Sequence, residues 1–297
     1  MTSVNFKKRK KEKMVGKKQA VGSGKIPSSG PQRAKPVVGF FSFTCCEGCE
    51  FTVLFLDELP ELMEKLDIQH FHLIKQKNKD AEFDLAFVEG AITTKEEARK
   101  LKRIRSQSKL LVALGACACY GGIPAMLNFI ENKELGKYIY NQQMLSDSIE
   151  AQPIASFVKV DYYMYGCPIL KKEFVDFVSN YLEGKETTPF EGPVCRQCPR
   201  RGVNCFLREK KVCLGALTHG GCNAVCIKQN IPCIMCRGPL ETANFPAEAA
   251  LFKSWGLEEK DIIGKLGKFG GQNVRKSMGA KPADAKEKKE DDKKTRP

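Results

Sequence analysis

Several things are missing from this 297-residue sequence, and each absence excludes a class. No run of eighteen or more apolar residues exists, so a transmembrane helix is not expected. The opening MTSVNFKKRKKEKMVGKK has neither an apolar core segment nor a twin-Arg pair, so export is not expected and a cytoplasmic location is. Acids are nearly missing from the arm that follows: between Lys7 and Arg33 ten Lys/Arg face the single acid Glu12, which accounts for most of the net charge of +14. KKRKK could serve nuclear import or RNA binding, yet no aromatic residue is interleaved to stack on bases, and binding of nucleic acid is not expected. Residues 1–35, low in apolar content, read as a disordered basic arm. Hydrophobic periodicity is also missing between Cys195 and Cys236, a stretch that cannot fold on burial alone.

What the chain does have is cysteine. Fourteen of them without a secretion signal argue against a disulfide scaffold and for metal or redox chemistry in a reducing compartment. With 42% hydrophobic and 28% charged residues, the chain can bury a real core, as one domain or one domain plus a smaller module.

From Pro36 the pattern is β/α. Apolar runs predict strands at Val37–Phe43, Gln69–Ile74, Phe83–Val88, Lys109–Leu114 and Val160–Tyr165. Helical spacing predicts helices over Glu50–Leu66, Lys95–Ser106, Leu170–Leu182 and, past the cysteine-rich stretch, Phe245–Leu257. Alternation of this kind implies a doubly wound parallel sheet of the α/β class. Its consequence for chemistry is specific. Cys46 with Cys49, Cys117 and Cys167 each follow the C-terminal end of a different strand, and those ends share one sheet edge. Four thiolates brought there make a tetrahedral sulfur site.

Eight more cysteines divide into Cys195, Cys198, Cys205 and Cys213, then Cys222, Cys226, Cys233 and Cys236. Zinc and [4Fe–4S] clusters both take four thiolates, so spacing leaves the metal open. Two features favour iron–sulfur: the Cys167-Pro168 pair, and a first site assembled from remote strand ends where structural zinc uses short local pairs. Three such centres in one chain would form a wire for single electrons.

The ordered motifs Cys46-Glu-Gly-Cys49-Glu50, Val88-Glu89-Gly90, Gly115-Ala-Cys117-Ala-Cys119-Tyr-Gly121-Gly122, Gly166-Cys167-Pro168 and Ile231-Pro-Cys233-Ile-Met-Cys236-Arg-Gly-Pro239 carry a family resemblance. From about Pro36 to Pro239 the chain resembles the small, electron-transferring subunit of [NiFe] hydrogenases. It is most similar to the cytoplasmic branch holding the sulfhydrogenase delta subunit and the F420-reducing and viologen-reducing small subunits. The resemblance implies a flavodoxin-like domain over 36–184 whose Cys46, Cys49, Cys117 and Cys167 hold a proximal [4Fe–4S] cluster. It implies a cysteine-rich, irregular iron–sulfur module over 185–260, with Cys222, Cys226, Cys233 and Cys236 on a medial cluster and Cys195, Cys198, Cys205 and Cys213 on a distal one. Residues 261–297 read as a flexible charged tail. The nickel–iron centre of the family lies in a separate large subunit, so this chain would be a non-catalytic oxidoreductase subunit with that partner on one side and a flavin- or iron–sulfur-containing subunit on the other.

Some residues keep two readings. Glu50 and Glu89, beside the proximal ligands, are either hydrogen-bond acceptors at a helix start and a strand end or carboxylates that support the cluster or carry protons near the partner. His219, in His-x2-Cys222, is read as structural, with a ligand role as the alternative. Cys119 reads as a packed thiol. The Cys45-Cys46 doublet is reminiscent of the small cluster-bearing subunit of NADH:quinone oxidoreductase, a relative without the eight-cysteine segment. A subunit of a quinone-linked complex, or a zinc- or nucleic-acid-binding protein, is the competing reading.

Overall fold

A computed structural model describes residues 35–130 and 147–278 of the chain. Of the basic arm expected over 1–35, residues 1–34 lie outside the described residues, as do residues 279–297 of the expected tail.

Five strands form the central sheet: β1 (Val37–Ser42), β2 (Asp67–His70), β3 (Phe83–Glu89), β5 (Ser108–Leu114) and β7 (Tyr162–Met164). Their order is β2-β1-β3-β5-β7 and every pairing is parallel. With β4 (Ile92–Thr94) and β6 (Ser148–Gln152) set apart as an antiparallel pair, this is the flavodoxin-like order. Side chains alternate across it. Val38, Phe40, Leu85, Phe87, Val112 and Leu114 enter one apolar layer. Helices α1 (Gly48–Leu54), α2 (Leu59–Lys65) and α5 (Lys171–Leu182) close that layer through Val53, Leu62, Phe174, Phe177 and Val178. Val37, Phe41, Ala86, Val88, Leu111 and Ala113 enter the other, closed by α3 (Lys95–Ser106) and α4 (Gly115–Tyr120) through Leu101, Ile104 and Ala118. Helix α3 begins on a capping box in which Thr94 Oγ1 accepts from Glu97 N while Glu97 accepts from Thr94 N.

Three sequence expectations change. The helix expected over Glu50–Leu66 is two helices. Pro60 has no N–H to continue an α-helix from the preceding turn, but it is tolerated in the first turn of α2. The strand expected at Gln69–Ile74 ends at His70 and begins at Asp67, where the ladder to Val37 starts. The flexible tail expected from residue 261 does not hold for 261–277, which lie within α8 (Glu259–Ser277). This helix kinks at Gly271 and packs closely: a Cβ at Gly267 would lie 3.1 Å from the Phe129 ring, and one at Gly271 3.0 Å from Ala125. Arg275 Nη1 donates to Asn128 O at 3.2 Å and Nη2 to Glu150 at 3.1 Å. Charge along α8 conceals an apolar stripe, Ile262, Leu266, Phe269 and Val274, that faces inward.

Between α5 and α7 (Phe245–Ser254) the only helix of the α type among the described residues is the single turn α6 (Val225–Lys228). Two small apolar clusters serve this part. One gathers Leu214, Leu217, Met235 and Phe245 with α8, the other Val194, Phe206, Ala224 and Ile227. Among the described residues no helix is long and apolar enough to cross a membrane.

Candidate metal centres

Strand order decides what can meet at the sheet edge. β1, β5 and β7 deliver Cys46 and Cys49, Cys117 and Cys167, while β3, lying between β1 and β5, delivers Glu89. Burial pushes the Cys117 thiol up to about 12, opposed by the Ile123 amide and reinforced by charge on Cys167, Glu89 and Cys46. Cys49 is raised by burial and then by Glu89, Cys117 and Cys167, with the Ile169 amide acting the other way. Cys167 is raised by burial and by Cys46 and Glu89. Cys117 therefore lies in the fields of Cys46 and Cys167, and Cys49 in those of Cys117 and Cys167. Gly115 has φ +81, and a Cβ there would lie 2.3 Å from Cys49 Sγ. Only glycine leaves that sulfur room. Four sulfur donors and a glycine cradle suit an iron–sulfur cluster, while among the described residues no group of three His, Cys, Asp or Glu side chains could hold a single metal ion.

Cys45 lies in the same field. Burial and the Glu89 charge push its thiol up to about 12, the Glu47 amide lowers it, and Cys117 and Glu50 add to the rise. Cys119 is buried at 1% exposure, its Sγ 3.7 Å from the carbonyl oxygens of Ala113 and Met164, so it is a packed thiol.

The two carboxylates separate in role. Glu89 accepts from Cys49 N at 3.1 Å and Glu50 N at 2.8 Å, tying the start of α1 to the end of β3. Glu50 is fully buried and its two oxygens make no hydrogen bond among the described residues. His72 Nδ1 lies 3.5 Å from its Oε2. Burial, then the charges of Glu89 and Glu47, push Glu50 up to about 8.

The remaining cysteines also lie in one another's fields, and Cys233, whose Cβ would be 3.6 Å from a Cβ at Gly215, stands between the two segments. Burial pushes Cys195 up to about 11, with Cys213, Cys198 and Cys205 adding to it. A Cβ at Gly215 would lie 3.5 Å from Cys195 Sγ and 3.8 Å from Cys213 Sγ, a second glycine cradle. Cys236 is raised by burial, lowered by the Cys167 amide that faces it, and raised by Cys222 and Cys226. Cys233, raised by burial, also feels Cys213, Cys236 and Cys222. Two backbone contacts put the groups in sequence. The Cys167 amide faces Cys236, and Cys233 N donates to Cys213 Sγ at 3.4 Å.

His219 is not brought to a cysteine group by its hydrogen bonds. Its Nε2 is 2.7 Å from Tyr120 Oη and 3.1 Å from Pro239 O, and its ring stacks on Tyr165 at 4.1 Å. Burial, with Arg237 nearby, pulls it down to about 4, so it is neutral. Sequence reasoning passed over Gln197, whose Oε1 accepts from Gly221 N at 2.7 Å and Asn223 N at 3.1 Å and so holds the Cys222 loop. It also passed over Arg237 and Glu173. Only the adjacency of Arg237 to Cys236 was a signal.

The family described as NADH ubiquinone oxidoreductase, 20 Kd subunit, matches residues 46–181. Sulfhydrogenase 2 subunit delta of Pyrococcus furiosus is 33% identical over 235 residues, covering 78% of this chain and 98% of that protein. A subunit of the F420-non-reducing vhu hydrogenase of Methanocaldococcus jannaschii is 31% identical over 269 residues, covering 78% and 93%. The fold is shared with a chain of the H2-activated [NiFeSe]-hydrogenase of Dm. baculatum, at TM-score 0.50 and 16% identity over 74% of this chain and 99% of that one. On its motifs, its sheet order and these relatives, the chain belongs to the small-subunit family of [NiFe]-type hydrogenases, in the branch of the sulfhydrogenase delta subunit and its F420-non-reducing hydrogenase counterparts.

Proposed function

We propose that this chain is the iron–sulfur electron-transfer subunit of a cytoplasmic [NiFe]-hydrogenase-type complex, relaying single electrons through three [4Fe–4S] clusters. Cys46, Cys49, Cys117 and Cys167 hold the proximal cluster, Cys222, Cys226, Cys233 and Cys236 the medial one, and Cys195, Cys198, Cys205 and Cys213 the distal one. The observation that carries this is the contiguity of the three thiol groups, through the Cys167 amide at Cys236 and the Cys233 amide at Cys213. When bound, the clusters supply one-electron storage at each group. The chain itself supplies sulfur donors, amides aimed at some of those sulfurs, and burial that is greatest at Cys49 and Cys213 and least at Cys46 and Cys226, properties that tune such centres.

The chain is not itself the site of hydrogen chemistry. A [NiFe] large subunit covers the proximal face, and a flavin- or iron–sulfur-containing subunit takes up electrons at the far end. Phe51 and Phe55, stacked at 6.1 Å and exposed at 42% and 65%, support a covered surface beside Cys49. Buried Glu50, without a hydrogen bond, is the carboxylate that the partner would complete. The names of the relatives as hydrogenase subunits support the same reading.

Anaerobic purification tests it. About twelve iron and twelve sulfide per chain are expected, together with a co-purifying nickel-containing subunit and hydrogen-dependent dye reduction by the complex. A colourless protein with stoichiometric zinc overturns it. The match over residues 46–181 favours a quinone-linked complex as a second reading, but it stops before the eight-cysteine segment. Quinone reduction without hydrogen-dependent activity would select that reading.

A further inference from the structure

Arg237 is 2% exposed, directly follows Cys236, and uses its guanidinium to join the two halves of the chain. Nε donates to Gly220 O at 2.7 Å, Nη1 to Tyr165 O at 2.8 Å and to Glu173 Oε2 at 2.9 Å, and Nη2 to Glu173 Oε1 at 3.0 Å. Tyr165 stands two residues before Cys167, and Gly220 two before Cys222. One side chain thus holds the backbone that leads into the first thiol group and the backbone that leads into the second. A Cβ at Gly221 would lie 2.9 Å from Nη2, so the loop is closed tightly over the guanidinium.

A buried ion pair is a poor means of stabilisation, because desolvating both charges offsets most of their attraction. Its direction is informative here. The cysteines whose charge the guanidinium feels are Cys222 and Cys236. Cys236 in turn is lowered by the guanidinium, whereas Glu173, on α5, raises Cys119 and Tyr162, where Arg237 opposes it. The pair is a fixed dipole with its positive end toward the second thiol group. Arginine keeps its proton throughout the working pH range, so that charge does not titrate away.

We propose that Arg237, oriented by Glu173, is a positioning and tuning residue for the middle centre: it raises the reduction potential of the group held by Cys222, Cys226, Cys233 and Cys236 and fixes that group against Cys167. This rests on the iron–sulfur reading above. Adding an electron adds negative charge, which a nearby fixed cation stabilises. A unit charge within roughly 10 Å, at an effective dielectric near 20, changes a one-electron equilibrium by roughly tenfold.

The test is a potentiometric titration of the iron-loaded complex followed by electron paramagnetic resonance, with R237Q, R237K and E173Q beside the native protein. R237Q is expected to make the middle centre roughly tenfold harder to reduce, a fall of about 59 mV for one electron. E173Q is expected to move it the opposite way, and R237K, which keeps the charge, to stay near the native value. A role confined to packing would give no opposed shifts. Equal shifts in R237Q and R237K, a shift of the same sign in E173Q, or no shift at all overturns the inference. If R237Q does not accumulate, R237K and E173Q decide it. A native protein lacking iron would instead sink the relay reading itself, whereas full iron with unmoved potentials sinks only the role of Arg237.

Discussion

Between Val37 and Leu182 the chain closes two apolar layers over a parallel sheet, with Phe40, Leu85, Phe87 and Phe174 among its fully or nearly fully buried side chains. Between Thr187 and Leu240 it has one helical turn of the α type, a share in a cluster completed by Phe245, Phe252 and Leu266, and one small cluster to which Cys198, Cys213, Cys222 and Cys233 themselves contribute. Backbone conformation differs in the same direction. Of the described non-glycine residues with positive φ, Glu47 alone lies in the first part, whereas Lys210, Asn223, Ala224, Asn230 and Met235 lie in the second. A left-handed Met or Ala is costly and persists only where its surroundings over-determine it. The first part can be held by burial; on the proposed relay reading, the second is held by the clusters its cysteines bind.

This contrast can be broken or sharpened by experiment. The largest effect should come from removing iron from the purified protein. Amide exchange in 195–236 should then lose its protection while Val37–Ser42, Phe83–Glu89 and Ser108–Leu114 keep theirs. Simultaneous loss in both parts would erase the distinction. A narrower lesion is Cys167→Ser, expected to remove about one third of the iron and the signal of one centre while the other two remain. Iron analysis and spectroscopy that found full loading would take Cys167 out of the ligand set.

Phe87→Ala attacks the other side of the comparison. It opens a cavity in the sheet layer and should cost about 3–5 kcal/mol by chemical denaturation without lowering the iron content of the purified protein. A smaller effect concerns the seam. The pKa of His219 is pulled down from 6.5 to about 4 by burial and by Arg237. The folded chain therefore stays neutral there while the unfolded chain takes up a proton. Its contribution is present above pH 6.5 and is lost as pH falls toward 4, about 2 kcal/mol between pH 7 and pH 5. Denaturation of H219Q at both pH values should show correspondingly less acid sensitivity, and an unchanged pH slope would count against this origin.

The sheet was largely legible, because short apolar runs such as Phe83–Val88, broken only by Asp84, read as buried strands, and the capped, periodic Lys95–Ser106 is a helix residue for residue. Less legible were β4 and β6, whose short pairing joins Ile92 to Gln152 and Thr94 to Ser148, far apart in the chain, and α8, whose Lys-rich face concealed the inward stripe. At the site, spacing suggested a division of the cysteines into fours. Glu89 as a strand-end acceptor was one of the two readings the sequence offered, but the roles of Gln197, Arg237 and Glu173 were not legible, because nothing in a local pattern says which group a side chain will meet after folding.

Phe41 to Leu54 illustrates where the boundary falls. The sequence by itself determined that a buried strand would end in a Cys-x-x-Cys pair, since apolar run length and residue chemistry are local properties. Only the tertiary structure decided what that pair meets. Strand order brings β3 between β1 and β5, so Glu89 caps the two amides that follow Gly48 and Cys117 arrives from beyond it. The seam was likewise decided in three dimensions, where Arg237 spans from Gly220 to Tyr165 and Glu173. Those contacts join residues far apart in the chain, and long-range placement follows from how layers pack and not from any one segment's propensity.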